Sequence, residues 1–163
     1  MQPHECVAMP RTTEVISHTC ADNNPFKEPK LYCLSRKEER YTQLASEEAH
    51  KSIEHKARHG AVLVVNGKVV SKGYNRGAAT KRDFSRQTTT HAEAAAVIQF
   101  IRRMSRRYSY SKTGGSLYIV RISCDLYCLS KPCNACTPFL ESIPFVKEVI
   151  YSNGNNEFYK MKK

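Results

Sequence analysis

The sequence predicts an α/β fold, a three-layer sandwich built on a mixed five-stranded sheet. Three observations predict it. Asn66-Gly67 joins two strand-like runs and is the strongest short signal for a β-hairpin. Residues 91–107 (HAEAAAVIQFIRRMSRR) combine four alanines with apolar residues at three- and four-residue spacing, the pattern of an amphipathic helix. Residues 116–122 (SLYIVRI) form an apolar run suited to an interior strand covered on both faces.

The elements follow in order. Residues 1–34 scatter Pro3, Pro10, Pro25 and Pro29 among polar residues without a period. They predict an irregular or loosely attached arm, and leave residues 35–163 as the folded domain. Ser35-Arg36-Lys37-Glu38 is a capping box. A helix is expected from there to about Ala57, with Tyr41, Leu44, Ala45, Ala49 and Ile53 toward the core. Strands are expected over 61–66 and 68–74. A polar loop, 77–90, then leads to the helix that opens at His91, whose start Thr88, Thr89 or Thr90 can cap. The third strand is 116–122. Pro132 suits the first turn of another helix over 133–143. The last two strands, 147–151 and 157–161, are separated only by residues 152–156. A parallel return needs a crossover of about a dozen residues or more, so the last strand is expected to be antiparallel to its neighbour. The early helix should cover one face of the sheet and the two later helices the other. There is no internal repeat.

Composition narrows the class. A chain of 163 residues with net charge +11 and pI near 9.4 favours an anionic partner. No apolar run approaches the ~20 residues needed to span a bilayer, so no membrane partner is expected. The first residues lack an apolar signal core, which argues against secretion. Seven cysteines, an odd number, fit reduced thiols and a cytoplasmic or nuclear location.

The chemistry concentrates in His91-Ala92-Glu93 and Pro132-Cys133-Asn134-Ala135-Cys136. His91, Cys133 and Cys136 are ligand types that bind Zn2+. Structural zinc sites close with four protein ligands, whereas catalytic sites hold three and keep a place for water. Glu93 is then left over to move protons. Two helix starts would converge on the ion and favour thiolates there. Each piece alone reads otherwise. Cys-x-x-Cys can be a redox pair, half of a structural site or two buried thiols. His91 alone fits a core or surface histidine, and Glu93 alone a solvated first-turn acid. Together and in this order they match the signature of zinc-dependent base deaminases.

On these residues the chain resembles the cytidine deaminase-like superfamily, in its cytidylate/deoxycytidylate-type form. The resemblance also takes in residues 60–65 (GAVLVV) and 73–76 (GYNR), and runs over about residues 60–151 in the family's order. It implies Zn2+ held by His91, Cys133 and Cys136. It also implies that zinc-bound hydroxide attacks a cytosine ring in a nucleoside or nucleotide, with Glu93 as proton shuttle, first base and then acid. Asn75 resembles the family asparagine that hydrogen-bonds the substrate's base or sugar, and Ala92 stands beside it as a substrate-site residue. A plain turn role for Asn75 stays open. Superfamily members commonly form dimers or tetramers, so a homo-oligomer is expected by analogy. The antiparallel final strand resembles the free-nucleoside branch, whose enzymes typically carry Cys where this chain has His91. The nucleotide- and polynucleotide-acting branches instead return parallel.

Charge placement leaves alternatives. Arg76, Lys81, Arg82 and Arg86 lie on the loop leading to His91 and could bind a substrate phosphate. Arg102, Arg103, Arg106 and Arg107, with Tyr108 and Tyr110, form a denser basic-aromatic patch. Arg106 is roughly 22 Å along the helix from His91, so this patch could hold only a distant part of a polymer. A solvated helix end is the plain reading. The alternative functions are deamination of cytosine or adenine within single-stranded RNA or DNA, and an inactive zinc-stabilised module that binds nucleic acid. Cys6, His18, Cys20 and Cys33 are too irregularly spaced to argue for a second metal site. Cys124 and Cys128 read as spare ligands or as small buried hydrophobes.

Overall fold

The computed structural model describes residues 25–54, 57–77, 90–103 and 114–163. Its elements are β1 (Lys30–Leu31), α1 (Arg36–Ala49), β2 (Arg58–Val65), β3 (Lys68–Tyr74), α2 (Ala92–Arg103), β4 (Gly115–Ser123), β5 (Leu126–Cys128), α3 (Cys136–Ser142), β6 (Val146–Gly154) and β7 (Glu157–Lys162). The sheet runs β1-β7-β6-β4-β2-β3, with β5 paired to β4. Its middle is the expected five-stranded mixed sheet. β4 and β6 are parallel, and β7 returns antiparallel beside β6 as the short connection requires.

Two short strands bring the described total to seven. β5 forms because Cys124 and Asp125 both adopt positive φ, 48° and 58°, in a tight reversal after β4. β1 adds to the free edge of β7. Phe26 is buried and the Lys27 N–H donates to the Lys162 carbonyl at 2.7 Å, so residues 26–31 pack on the sheet. Residues 1–24 lie outside the described set.

The two faces separate by strand parity. Ala61 and Leu63 of β2, Leu117 and Ile119 of β4, and Val149 and Tyr151 of β6 pack with Ala92, Ala96, Val97 and Phe100 of α2 and Leu140 of α3. The alternate residues Val62, Val64, Tyr118, Val120, Ile122 and Ile150 pack with Tyr41, Ala45 and Ala49 of α1. β4 is therefore buried on both faces. Each fully buried Leu or Ile contributes about 1.5–3 kcal/mol of transfer free energy.

α1 opens with the expected capping box. Glu38 N–H donates to Ser35 Oγ, and the Glu38 carboxylate accepts from the Ser35 N–H at 3.0 Å. The helix stops at Ala49 rather than near Ala57, and Ile53 is 75% exposed instead of facing the core. Gly60 explains the stop. A Cβ there would collide with the Ala45 carbonyl oxygen and the Ala49 N, so the helix lies directly on β2 and must end for the chain to turn into that strand. Ser52 secures the turn: its hydroxyl donates to the Asn75 carbonyl at 3.0 Å and accepts from the Glu54 N–H at 3.2 Å.

Candidate metal centre and active site

α2 is set on the sheet by Gly73, where a Cβ would meet the Ala92 carbonyl at 2.6 Å and the Ala95 Cβ at 2.9 Å. Thr90 and Arg76 exchange two backbone hydrogen bonds of 3.0 Å. That pairing holds Thr90 in extended geometry. The helix therefore begins at Ala92, and His91 stands just before the first turn that Glu93 occupies. The His91 carbonyl accepts the helical N–H of Ala95 at 2.9 Å.

The second half of the site is a turn that feeds α3. Cys133 precedes the helix, and Cys136 is its first residue. The sequence had suggested helix from Cys133. Pro138 explains the later start, since it lacks an N–H and is tolerated only in a first turn. The Cys133 carbonyl still accepts from the Cys136 N–H at 3.0 Å and the Thr137 N–H at 2.9 Å, so both cysteines share one turn. Ser130 anchors the approach. Its hydroxyl donates to the Ile119 carbonyl at 2.9 Å and accepts from the Ser152 N–H at 2.9 Å, and the Ser152 hydroxyl donates to the Cys128 carbonyl at 2.7 Å. Ser130 carries no distinguishing signal in the sequence. Its role is visible only once β4 and β6 are neighbours.

These two segments bring the predicted ligands together. His91 Nδ1 lies 3.5 Å from the Cys133 sulfur and 3.3 Å from the Cys136 sulfur. All three ligand atoms fall within 4.8 Å of one another, the only such grouping among the described residues. A tetrahedral zinc with ordinary Zn–N and Zn–S bonds would separate nitrogen and sulfur by about 3.6 Å. The triad therefore fits one Zn2+. Burial pushes the Cys136 thiol far above its ordinary value, and the neighbouring Glu93 carboxylate adds to the effect. A bound cation is what allows that sulfur to be a thiolate. Glu93 itself is 5% exposed, beside the triad but not one of its three ligands.

The predicted substrate residues fall unevenly. Ala92 is fully buried at the start of α2. The Asn75 amide ties down the start of β2: its Nδ2 donates to the Ala57 carbonyl at 2.9 Å, and its Oδ1 accepts from the His59 N–H at 2.7 Å. Arg76 is exposed, with its guanidinium 4.4 Å from the centre of the Tyr74 ring. Lys81, Arg82 and Arg86 lie outside the described residues, as do Arg106, Arg107, Tyr108 and Tyr110. Arg102 and Arg103 are exposed at the far end of α2. Cys33 and Cys124 are exposed, and neither they nor Cys128 join the triad. Cys6, His18 and Cys20 lie outside the described residues.

One residue was missed. His59 sits on β2 with its Nδ1 3.0 Å from the Ala57 carbonyl. Burial lowers the ring's affinity for a proton, against the Ala57 carbonyl and the Glu93 carboxylate, which raise it. A lone histidine at a strand start carries no distinguishing signal until the strand's faces are known.

The family model described as the cytidine and deoxycytidylate deaminase zinc-binding region matches residues 35–153. The fold is similar to that of a cytidine deaminase from Burkholderia pseudomallei, at 19% identity over 79% of this chain and 93% of that one, with a TM-score of 0.58. It is also similar to a dCMP deaminase from the cyanophage S-TIM5 in apo form, at 21% identity over 76% of this chain and 88% of that one, with a TM-score of 0.51. The same enzyme in complex with dCMP and dUMP matches at 21% identity over 74% and 83% of the two chains, again with a TM-score of 0.51. At these identities the likenesses concern the fold. A search of curated proteins returned no match. With the family model spanning most of the chain and the ligand triad assembled within it, this protein belongs to the zinc-dependent cytidine and deoxycytidylate deaminase family.

Proposed function

We propose that the chain hydrolyses the exocyclic amino group of a cytosine ring in a free nucleoside or nucleotide, giving the uracil compound and ammonia. One observation carries this reading: Glu93 is buried against the His91, Cys133 and Cys136 triad without being one of its ligands. A purely structural site has no use for such a carboxylate. Bound zinc supplies a water acidified enough to serve as nucleophile near neutral pH. Glu93 takes a proton from that water and delivers it to ring N3. It then hands the second proton to the departing amino group, so base and acid are one residue. His91, Cys133 and Cys136 hold the ion. Ala92, buried at the start of α2, forms part of the wall near the base. Asn75 keeps a second Nδ2 hydrogen and an Oδ1 lone pair beyond its two backbone bonds, and these can orient the base or sugar. Arg76, with Lys81, Arg82 and Arg86 following it in the sequence, is available to a substrate phosphate.

The antiparallel return of β7 supports a small substrate, in line with the free-nucleoside branch it resembles. The net charge of +11 favours the second reading, cytosine or adenine within a strand. Comparing wild type with Glu93→Ala tests the chemistry: zinc content should be equal and ammonia release lost by at least about 100-fold, the general acid–base share. Equal turnover removes Glu93 from the mechanism, whereas no ammonia release by either protein leaves a zinc-stabilised module as the better account. Turnover of cytidine, deoxycytidine, their monophosphates and short oligonucleotides at two salt concentrations separates the substrates. Reaction of oligonucleotides alone, falling steeply with salt, would overturn the small-substrate reading.

A further inference from the structure

His59 lies on the same face of the sheet as the metal ligands. Along β2, Ala61 and Leu63 point into the cluster formed with α2, while Val62 and Val64 point to α1. Parity therefore sends the His59 ring to the α2 side. Its place along the strand is equally defined. Ala61 pairs with Gly73, the residue beneath Ala92 and Ala95, and His59 lies two residues farther toward the strand's start. There its carbonyl accepts from the Asn75 N–H at 3.1 Å, and its partner on the other side is Arg121. Asn75 adjoins Arg76, which pairs with Thr90, the residue before His91. The ring therefore sits where α2 begins, within electrostatic reach of Glu93 and His91.

The ring's orientation and proton are also determined. A carbonyl can only accept, so the 3.0 Å contact with Ala57 places the proton on Nδ1. The same carbonyl accepts from Asn75 Nδ2 at 2.9 Å, so the residue that secures the strand start also secures the ring. Burial, the largest cause, lowers the ring's affinity for a proton, against the Ala57 carbonyl and Glu93, which raise it. Nε2 is left with a lone pair, and no described residue hydrogen-bonds it. An acceptor nitrogen within electrostatic reach of a buried carboxylate matches a donor on the ligand. A cytosine nucleoside offers two kinds, the 4-amino group and the sugar hydroxyls.

We infer that His59 contacts the substrate directly, its Nε2 accepting a hydrogen bond from a donor of the bound nucleoside. This rests on the deaminase reading above and adds a residue to that site. His59→Asn keeps an amide able to donate to the Ala57 carbonyl and removes the far nitrogen, whereas His59→Gln restores an acceptor at about the same reach. With zinc-loaded full-length protein, His59→Asn should keep its zinc content and melting temperature and lose about tenfold in kcat/KM, the size of one hydrogen bond. His59→Gln should recover much of that loss.

The substrate series identifies the donor. If it is a sugar hydroxyl, deleting that hydroxyl (2′-deoxycytidine or 3′-deoxycytidine against cytidine) will cost wild type about tenfold and His59→Asn nothing. If it is the amino group, His59→Asn will lose equally on all three. A His59→Asn protein within twofold of wild type throughout overturns the inference. So does zinc or melting temperature falling in step with activity in both variants, which would mark a structural wall. Wild type releasing ammonia from none of the cytosine nucleosides or their monophosphates would overturn the deaminase reading itself. Calorimetric binding of cytidine to zinc-loaded wild type and His59→Asn then decides the contact, and equal affinity sinks it.

Discussion

Cys136 shows how one residue ties the metal to the fold. Its thiol is buried, and burial together with Glu93 pushes it up, so the sulfur becomes a ligand only when a cation compensates. Cys136→Ser is expected to weaken zinc binding by more than the roughly 10–100-fold seen when outer partners of a metal site are lost. Chelating the metal from wild type should lower the melting temperature as the variant does. Metal analysis and calorimetry check both, and a Cys136→Ser protein with full zinc occupancy would remove this residue from the ligand set. These ligands were legible in the sequence because the chemistry restricts residue type and spacing. His59 was not, since a histidine becomes informative only when its face and neighbours are known.

The elements divide between local and tertiary causes. The start of α1 is local. Burial opposes ionisation of Glu38, but the Ser35 N–H and hydroxyl, with the Tyr32 hydroxyl at 2.7 Å, bring its carboxyl below the ordinary value. Such a group contributes stability above its unfolded pKa and loses it as pH falls through the folded one. Ser35→Ala should therefore cost about 1 kcal/mol near neutral pH and less in acid, once Glu38 is protonated. Urea unfolding of both proteins at the two pH values measures this, and a cost that does not change with pH would contradict it. The hairpin turn is local too, with Asn66 and Gly67 at φ 51° and 70°. The end of α1 is tertiary, because the stop comes from packing on Gly60 rather than from any breaker near Ala49. Neither β1, two residues long, nor β5, three residues long, can show a period of its own.

At the scale of the whole molecule, the sheet is a partition with α1 on one face and the metal site on the other. Gly60 and Gly73 let a helix approach from each side. Gly60→Ala should destabilise by about 1–3 kcal/mol or more, because its Cβ meets helix backbone that cannot move aside. Gly114→Ala is the control. Its Cβ would meet only the Lys147 side chain, at 3.3 Å from Cγ, which has to give by a few tenths of an ångström, so a smaller cost than that of Gly60→Ala is expected. Equal denaturation midpoints for Gly60→Ala and wild type would show that the close approach is not tight. No helix among the described residues is long and apolar enough to cross a membrane. The amino-acid order by itself determined the hairpin, the interior strand, the antiparallel return of β7 and the candidate ligands His91, Cys133 and Cys136. Those depend on turn chemistry, apolar pattern, connection length and donor type, all of which are local. Only the tertiary structure decided where α1 ends, that α3 begins at Cys136, that Ser130 and Ser152 lock the cysteine turn, and that His59 comes within electrostatic reach of Glu93. Each of these requires segments far apart in the chain to meet, and no window of sequence contains both sides of such a contact.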